Sequence, residues 1–405
     1  MPKIARHILD KCRQCGACLE LVACPGAEED ICIGCGACAL ICPNQAIEMI
    51  DEKREGKIKI EIDGREAVVS CRISLKEALE EAGYTYADLP EESGLYAPCN
   101  CGGCLSCAVD VDGITMPSCI TAVAEGMKIR TRFSPGHVPK RVVFGFVGHP
   151  SGGVGTPWQL RKDPKKVIEI ICYTSGCNFR CPQCQNWYIA FSGKGKPLTP
   201  GQAAARAVET KSQFSDVERF AVSGGEATLN RSWLISFIKE LKKINPGKNF
   251  HFHVDTNGSL LTRDYIDELV DAGMTDIGVD IKSLHIDTFM KITGLKESNL
   301  ARKYKENAWM AVKYLVREYG KKVFTGIGIP YNKDLISIEE IRDLGKKIYD
   351  EIDSDIQVSV NDYQPSFRSR ISRTSSKEMR TIHSVLKDTK LKRVVCQSSE
   401  GFICP

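Results

Sequence analysis

The sequence has no apolar run approaching the ~20 residues that span a bilayer, and Met1 to Asp10 lacks the long apolar core of a signal peptide. Both absences point away from a membrane span and from export. An excess of one charge is missing too. Lys and Arg total 55 against 51 Asp and Glu, a net +4, so no basic field argues for nucleic acid. No Lys-Ser/Thr follows Gly152-Gly153-Val154-Gly155, so this run reads as a turn and not a phosphate loop. No general acid–base pair stands out, and His251 and His253 read equally well as cavity lining. A chain of 405 residues, 42% hydrophobic and 26% charged, is otherwise ordinary for a soluble protein of two to four domains.

What the chain has in excess is cysteine, 20 residues. Disulfide scaffolds are usually short secreted chains, and this one is long. Its cysteines fall in tight CxxC-type groups, the pattern of metal ligation in a reducing compartment. The expectation is a cytoplasmic protein, and an anaerobe's, because exposed clusters oxidise. The densest group is Cys177-Asn178-Phe179-Arg180-Cys181-Pro182-Gln183-Cys184. Thiolates this close reach one centre, and soft sulfur selects iron–sulfur clusters, zinc or Cu(I). A cubane held by three thiolates keeps one iron open, the mark of a reactive site. The competing reading is a zinc knuckle, with Cys172 as its fourth ligand.

CxxxCxxC resembles the signature of radical S-adenosylmethionine (SAM) enzymes. The resemblance implies that the open iron chelates SAM, which one electron cleaves to a 5′-deoxyadenosyl radical for hydrogen abstraction. Cys177, Cys181 and Cys184 are then the catalytic ligands, with Gln183 and Gln185 of the same loop among the expected SAM contacts.

Two further cysteine runs occupy residues 4–50. Cys32-x2-Cys35-x2-Cys38-x3-Cys42-Pro43 matches the bacterial [4Fe–4S] ferredoxin spacing, and Cys12-x2-Cys15-x2-Cys18-x5-Cys24-Pro25 repeats it with two extra residues. The pair resembles a two-cluster ferredoxin (1–52); a pair of zinc ribbons is the alternative. The resemblance implies one cluster on Cys12, Cys15, Cys18 and Cys42 and another on Cys32, Cys35, Cys38 and Cys24. In 56–131, Lys57 to Ile62 alternates, Asp63-Gly64 signals a hairpin and Ser74-x-x-Glu77 is a capping box opening a helix. Cys99-x4-Cys104-x2-Cys107, with Cys119 beyond, has plant-type [2Fe–2S] spacing, against a structural zinc site. The surroundings resemble the β-grasp [2Fe–2S] domain of iron-only hydrogenases and of a respiratory complex I subunit. That family spaces its first cysteine further away, and Cys101 is a fifth thiol in the loop, so Cys99 is the weakest member of the set.

Residues 132–165, rich in proline and glycine, read as an irregular linker wrapping the next domain. From Lys166 strands (166–173, 218–223, 250–255, 276–281, 322–328, 356–361) alternate with helices (200–211, 231–244, 262–272, 303–319, 337–350, 376–387), which implies parallel strands with right-handed crossovers. Ser337-x-x-Glu340 is a second capping box. The radical SAM resemblance makes this α/β region, 166–390, a partial (β/α)6 barrel, with 391–405 as a tail. Its strands carry a polar column opposite the apolar one: His251, His253 and Asp255; Asp276, Gly278, Asp280 and Lys282; Gln357, Ser359 and Asn361. Unpartnered buried charges cost several kcal/mol each, so the columns predict a water- or ligand-filled interior.

Motifs end these strands. Ser223-Gly224-Gly225-Glu226-Ala227 resembles the radical SAM motif whose backbone binds the SAM amino group. Asp255-Thr256-Asn257-Gly258 and Asp280-Ile281-Lys282 resemble the pyruvate formate-lyase activating enzymes, which implies a monovalent-cation site at Asp255, Thr256 and Asp280 and a SAM contact from Lys282. Gly326-Ile-Gly-Ile-Pro330 matches an adenine-contacting strand end. The family usually inserts its ferredoxin modules after the cluster loop; here they precede the barrel, which leaves the glycyl-radical substrate open. The expected cofactors are three [4Fe–4S] clusters, a [2Fe–2S] cluster, SAM and a monovalent cation. The expected partners are a protein or peptide substrate and an external low-potential electron donor, with no nucleic acid and no membrane. The alternatives are a radical SAM enzyme acting on a small molecule or non-glycyl peptide, and an electron-transfer protein whose barrel is a docking platform. Cys71, Cys172, Cys396 and Cys404 read as structural.

Overall fold

The computed structural model describes residues 2–24, 31–92, 94–162, 166–214, 216–246 and 250–405; Pro25 of the first cysteine run lies outside them. The chain divides into two compact units. One is Met1–Phe144 with Thr174–Asn178 and Asn186–Thr199; the other is Gly145–Tyr173 with Phe179–Gln185 and Pro200–Pro405.

In the first unit, β1 (Lys3–His7), α1 (Ala17–Glu20), α2 (Ala37–Ile41) and β2 (Ile47–Asp51) make the repeat visible, with β1 antiparallel to β2. Each short helix starts behind a left-handed glycine, Gly16 at φ 75° and Gly36 at φ 74°. Only glycine takes that conformation without strain, and the turn brings Cys18 and Cys38 round towards the preceding thiols. Next, β3 (Lys57–Ile62) and β4 (Arg65–Ser70) form the expected hairpin, its turn residues Asp63 and Gly64 at φ 50° and 80°. The capping box opens α3 (Leu75–Glu81): Glu77 N donates to Ser74 Oγ at 3.2 Å and Ser74 N to the Glu77 carboxylate at 3.1 Å. After the paired β5 (Tyr86–Ala87) and β6 (Leu95–Tyr96) come β7 (Ala108–Val111), β8 (Ile114–Pro117) and β9 (Lys128–Arg130), giving a sheet ordered β4-β3-β9-β7-β8. Leu75, Ala78 and Leu79 of α3 pack on Ile60, Ile62, Val69, Val109 and Ile129, a helix laid on a sheet.

The segment read as an irregular linker is corrected by a nine-residue strand, β10 (Arg141–His149), which runs out of the first unit into the second. Its flanking prolines and glycines hid the strand signal. Then come β11 (Glu169–Thr174), α4 (Trp187–Ala190) and β12 (Pro197–Leu198), the last antiparallel to the start of β10.

The second unit carries α5 (Pro200–Lys211), β13 (Arg219–Gly224), α6 (Arg231–Ile244), β14 (His251–Thr256), α7 (Arg263–Ala272), β15 (Asp276–Asp280), α8 (Ile286–Thr293), α9 (Ser298–Tyr319), β16 (Phe324–Tyr331), α10 (Ile338–Glu351), β17 (Gln357–Asp362) and α11 (Ser376–Asp388). Strands β11 and β13 to β17 lie side by side in chain order, parallel from β13 onward, as a partial (β/α)6 barrel requires. The stretch expected as a tail adds β18 (Arg393–Ser398), parallel to β17, and β19 (Gly401–Ile403), folded back on β18. Phe252, Val254, Ile277, Val279, Val358 and Val360 are buried, as the apolar columns predict.

The polar columns face inward, but the chain itself meets them. The run Gly153-Val154-Gly155-Thr156 threads into the barrel. Val154 N donates to Asp255 Oδ1 at 3.1 Å, and Gln357 Nε2 donates to the Thr156 carbonyl at 2.9 Å. A Cβ on Gly155 would lie 2.4 Å from the Ile277 carbonyl carbon and one on Gly326 2.3 Å from the Val154 oxygen, so only glycine backbones fit. At this level the expected water- or ligand-filled interior is replaced by a polypeptide plug, which supplies the donors and acceptors the columns need. Below it, Arg219 pairs with Asp276 at 3.2 Å.

Beside the plug His253 is fully buried between Glu169, at 3.2 Å, and Asp255, at 2.9 Å. Burial pulls the imidazole pKa down, but the Asp255 and Glu169 carboxylates outweigh it and hold the pKa up at about 10. A pKa raised above the unfolded value of about 6.5 means stability that is complete below that pH and lost as pH climbs through about 10. Barrel stability, measured by hydrogen exchange of β14, is therefore expected to fall from pH 7 to pH 10 more steeply in the wild type than in His253→Gln. Equal slopes would count against the imidazolium.

Candidate metal centres and cofactor site

The CxxxCxxC loop leaves the C-terminal end of β11. Glu169 points inward to His253, so alternation along the strand puts Cys172 on the opposite face with Ile170 and Thr174. Cys172 is buried there, turned from the polar interior, which disfavours it as a fourth ligand. The loop is pinned by backbone and amide bonds. Arg180 N donates to the Thr293 carbonyl at 2.8 Å, Arg368 N to the Pro182 carbonyl at 2.9 Å, and Ser366 Oγ to the Cys184 carbonyl at 3.1 Å. Gln183, expected as a SAM contact, is buried and donates its amide to the Ile292 carbonyl at 2.7 Å; it anchors the loop to α8. Gln185 is exposed.

Burial raises the Cys181 pKa, and the Lys282 charge works against that rise. Lys282 stands in left-handed backbone at φ 63°, its Nζ 2.6 Å from Asp280 Oδ2. Burial would discharge this ammonium; the charges of Asp280, Tyr363 and Cys181 keep its pKa well above the ordinary lysine value. The Lys282 charge therefore opposes the effect of burial on Cys181 and works towards the thiolate a metal needs.

Glu226 is buried, and its carboxylate accepts from Thr228 N at 3.0 Å, Thr228 Oγ1 at 2.6 Å, Thr256 Oγ1 at 2.6 Å and Asn257 N at 2.7 Å. It ties the end of β13 to the end of β14. Gly224, at φ 110°, makes the turn before it. The motif thus presents backbone at the strand end while its carboxylate is committed to protein donors. Each of the expected cation ligands is engaged by a protein partner. Asp255 engages Val154 and His253, Thr256 donates to Glu226, and Asp280 holds Lys282.

In the first unit the ferredoxin thiols sort into two groups. Burial raises the Cys18 pKa, helped by Cys42, Cys15 and Cys12. Burial raises Cys35 to about 11, with Cys24, Cys32 and Glu77 nearby, and Cys38 to about 12, with Cys35, Cys32 and Cys24 nearby. Cys42 thus neighbours the Cys12–Cys18 thiols, and Cys24 neighbours the Cys32–Cys38 thiols. Cys99, Cys101, Cys104, Cys107 and Cys119 form a buried nest. Hydrogen bonds from Cys101, Cys104 and Cys119 hold the Cys99 pKa well below the ordinary thiol value, and a hydrogen bond from Cys119 lowers that of Cys107. Cys101 also lies 3.7 Å from the Ser192 carbonyl, towards which its S–H points. Among the described residues no His, Cys, Asp and Glu group is arranged as a ready single-ion site. The nest thiols contact one another, and a donor set of sulfur alone, with thiolate favoured at two positions, fits iron–sulfur ligation. We expect Cys101→Ser to keep the [2Fe–2S] absorbance and Cys99→Ser to lose it.

Sequence reasoning missed Tyr363, whose pKa burial raises beside Lys282, Cys181 and Cys184. It also misplaced Glu340. Ser337 accepts from Glu340 N at 3.1 Å, but the Glu340 carboxylate accepts from Leu284 N, His285 N and Thr288 Oγ1 at 2.8–2.9 Å, so only half the capping box forms. No local signal marks that diversion. No helix among the described residues is long and apolar enough to cross a membrane.

Residues 171–345 match the Radical SAM superfamily, 55–133 a 2Fe-2S iron-sulfur cluster binding domain and 27–48 a 4Fe-4S binding domain. A GTP 3′,8-cyclase of Rhizobium meliloti is 32% identical over 126 residues, 30% of this chain and 34% of the cyclase. A pyruvate formate-lyase-activating enzyme of Streptococcus mutans is 28% identical over 134 residues, 31% of this chain and 49% of that one. The chain thus spans about a third to a half of the length of these relatives. A radical SAM methyltransferase from Sphaerobacter thermophilus aligns in structure at TM-score 0.46 and 17% identity, covering 57% of this chain and 67% of the other. Cysteine loop, strand order and domain matches agree: residues 171–345 form a radical SAM domain, and stretches that match 4Fe-4S and 2Fe-2S binding domains precede it.

Proposed function

We propose that this protein reductively cleaves SAM for hydrogen abstraction and draws its electrons through fused iron–sulfur modules. The observation that carries the reading is the pinned Cys177–Cys184 loop with Lys282 held charged beside Cys181 and Cys172 turned away. Cys177, Cys181 and Cys184 would hold a [4Fe–4S] cluster with one iron free for SAM. When bound, that group supplies the electron that splits SAM to a 5′-deoxyadenosyl radical. The chain's own residues do the rest. Lys282, kept protonated by its pairing with Asp280, offsets part of the thiolate charge at the loop. Glu226 holds the backbone of Gly224 and Gly225 at the strand end for the SAM amino group. The plug at Val154 closes the interior beneath and excludes water.

The substrate we favour is a protein or peptide, with a glycyl radical enzyme as its first form. The activating enzyme among the relatives, and the strand-end motifs around Asp255 and Lys282, support this. Domain boundaries at about residues 52 and 131, and the crossed ferredoxin ligand sets, belong to the same proposal. The test is anaerobic. Reconstituted protein, reduced with dithionite and given SAM, is expected to release 5′-deoxyadenosine. An iron-replete protein that releases none would contradict the proposal.

A further inference from the structure

The first unit places the [2Fe–2S] nest against the run-in to the catalytic loop. Gly176, the residue before Cys177, has φ 91°, and a Cβ there would lie 2.9 Å from both Cys104 N and Cys104 Cβ and 3.2 Å from Cys99 Cβ. From the other side, a Cβ on Gly103 would lie 2.9 Å from Gly176 N and 2.8 Å from Ser175 Cβ. The contact is stitched by β10. Val142 N donates to the Gly103 carbonyl at 3.1 Å, Ser175 N to the Val142 carbonyl at 3.0 Å, and Arg141 Nη2 to the Ser175 carbonyl at 3.1 Å. Arg141 is fully buried, so a charged side chain is committed to holding this junction.

Two glycines at a backbone-on-backbone contact leave no side chain between the two ligand loops, which is what a short electron path requires. We infer that the Gly103-Cys104 and Ser175-Gly176 contact is the electron bridge, so that the [2Fe–2S] site is the immediate donor to the cluster on Cys177. One electron leaves the reduced [2Fe–2S] pair, which returns to its diferric state, and the catalytic [4Fe–4S] centre goes from 2+ to 1+. An external low-potential one-electron donor refills the [2Fe–2S] site. The inference rests on the function proposed above.

The test uses the full-length, iron-replete protein and magnetic resonance. In the dithionite-reduced wild type, the [2Fe–2S] signal is expected to relax fast because a paramagnetic neighbour is close. In Cys181→Ala, with the catalytic cluster lost by iron count, that relaxation is expected to slow several-fold. An unchanged relaxation rate in that variant would overturn the inference. Wild type showing no third [4Fe–4S] signal would instead overturn the proposed function, so the two failures are distinguishable. In a second arm, Gly176→Ala is expected to slow the freeze-quenched appearance of the reduced catalytic cluster several-fold at unchanged midpoint potentials. A wild-type rate at full iron content would also overturn it.

Discussion

Cys181→Ala is expected to abolish reductive SAM cleavage, lowering 5′-deoxyadenosine by more than about 100-fold, since losing even an outer-shell partner of a metal ligand costs about 10–100-fold. Cys181 is the loop thiol that the Lys282 charge faces, and its loss leaves two thiolates where a cubane needs three. Iron should fall by about four per chain while the [2Fe–2S] absorbance stays. Iron analysis, absorption spectra and chromatography of the nucleoside read all three. Full iron content together with wild-type cleavage would remove Cys181 from the ligand set. Cys172→Ala serves as the contrast. It buries no ligand in this account, so iron content and cleavage should stay near wild type.

Glu226→Ala produces the second large effect, and it is structural before it is catalytic. Alanine leaves the amides of Thr228 and Asn257 and the hydroxyls of Thr228 and Thr256 without their buried acceptor. Unsatisfied buried groups cost about 1–3 kcal/mol each, and breaking a buried charged network costs about 3–5 kcal/mol. A local loss of about 3 kcal/mol corresponds to about a 100-fold rise in opening. Hydrogen exchange at the ends of β13 and β14 is expected to rise by that factor while the first unit stays protected. Glu226→Gln, which keeps one acceptor oxygen, should rise less. If Glu226 instead bound SAM through its own carboxylate, Glu226→Gln would raise the KM for SAM with no change in exchange, and the positioning role would fail.

The sequence was most readable where chemistry depends on spacing. Three-residue and two-residue gaps between cysteines are nearly a statement of geometry, so the loop at Cys177 and the gathering of thiols around Cys18 and around Cys35 could be read without coordinates. The alternating strands β14, β15 and β17 were readable for the same reason, a period of two with charge on one side. What stayed hidden were side chains whose partners come from distant segments. Asp255 and His253 read as the lining of a hollow, but a glycine run a hundred residues earlier fills it. Gln183 read as a cofactor contact, but its amide meets a carbonyl on α8. Glu340 read as a helix cap, but it caps the start of a different helix. Strand β10 was missed because prolines and glycines crowd its flanks, and β18 because six residues with two charged neighbours carry little periodicity.

The proposed function turns on an iron in the Cys177–Cys184 loop with no protein ligand, free for SAM. It is tested most directly by the magnetic resonance spectrum of reduced, iron-replete protein with and without SAM. One [4Fe–4S] signal is expected to change shape on adding SAM, and this change is expected to be missing in Cys181→Ala. A spectrum indifferent to SAM in the iron-replete wild type would contradict it.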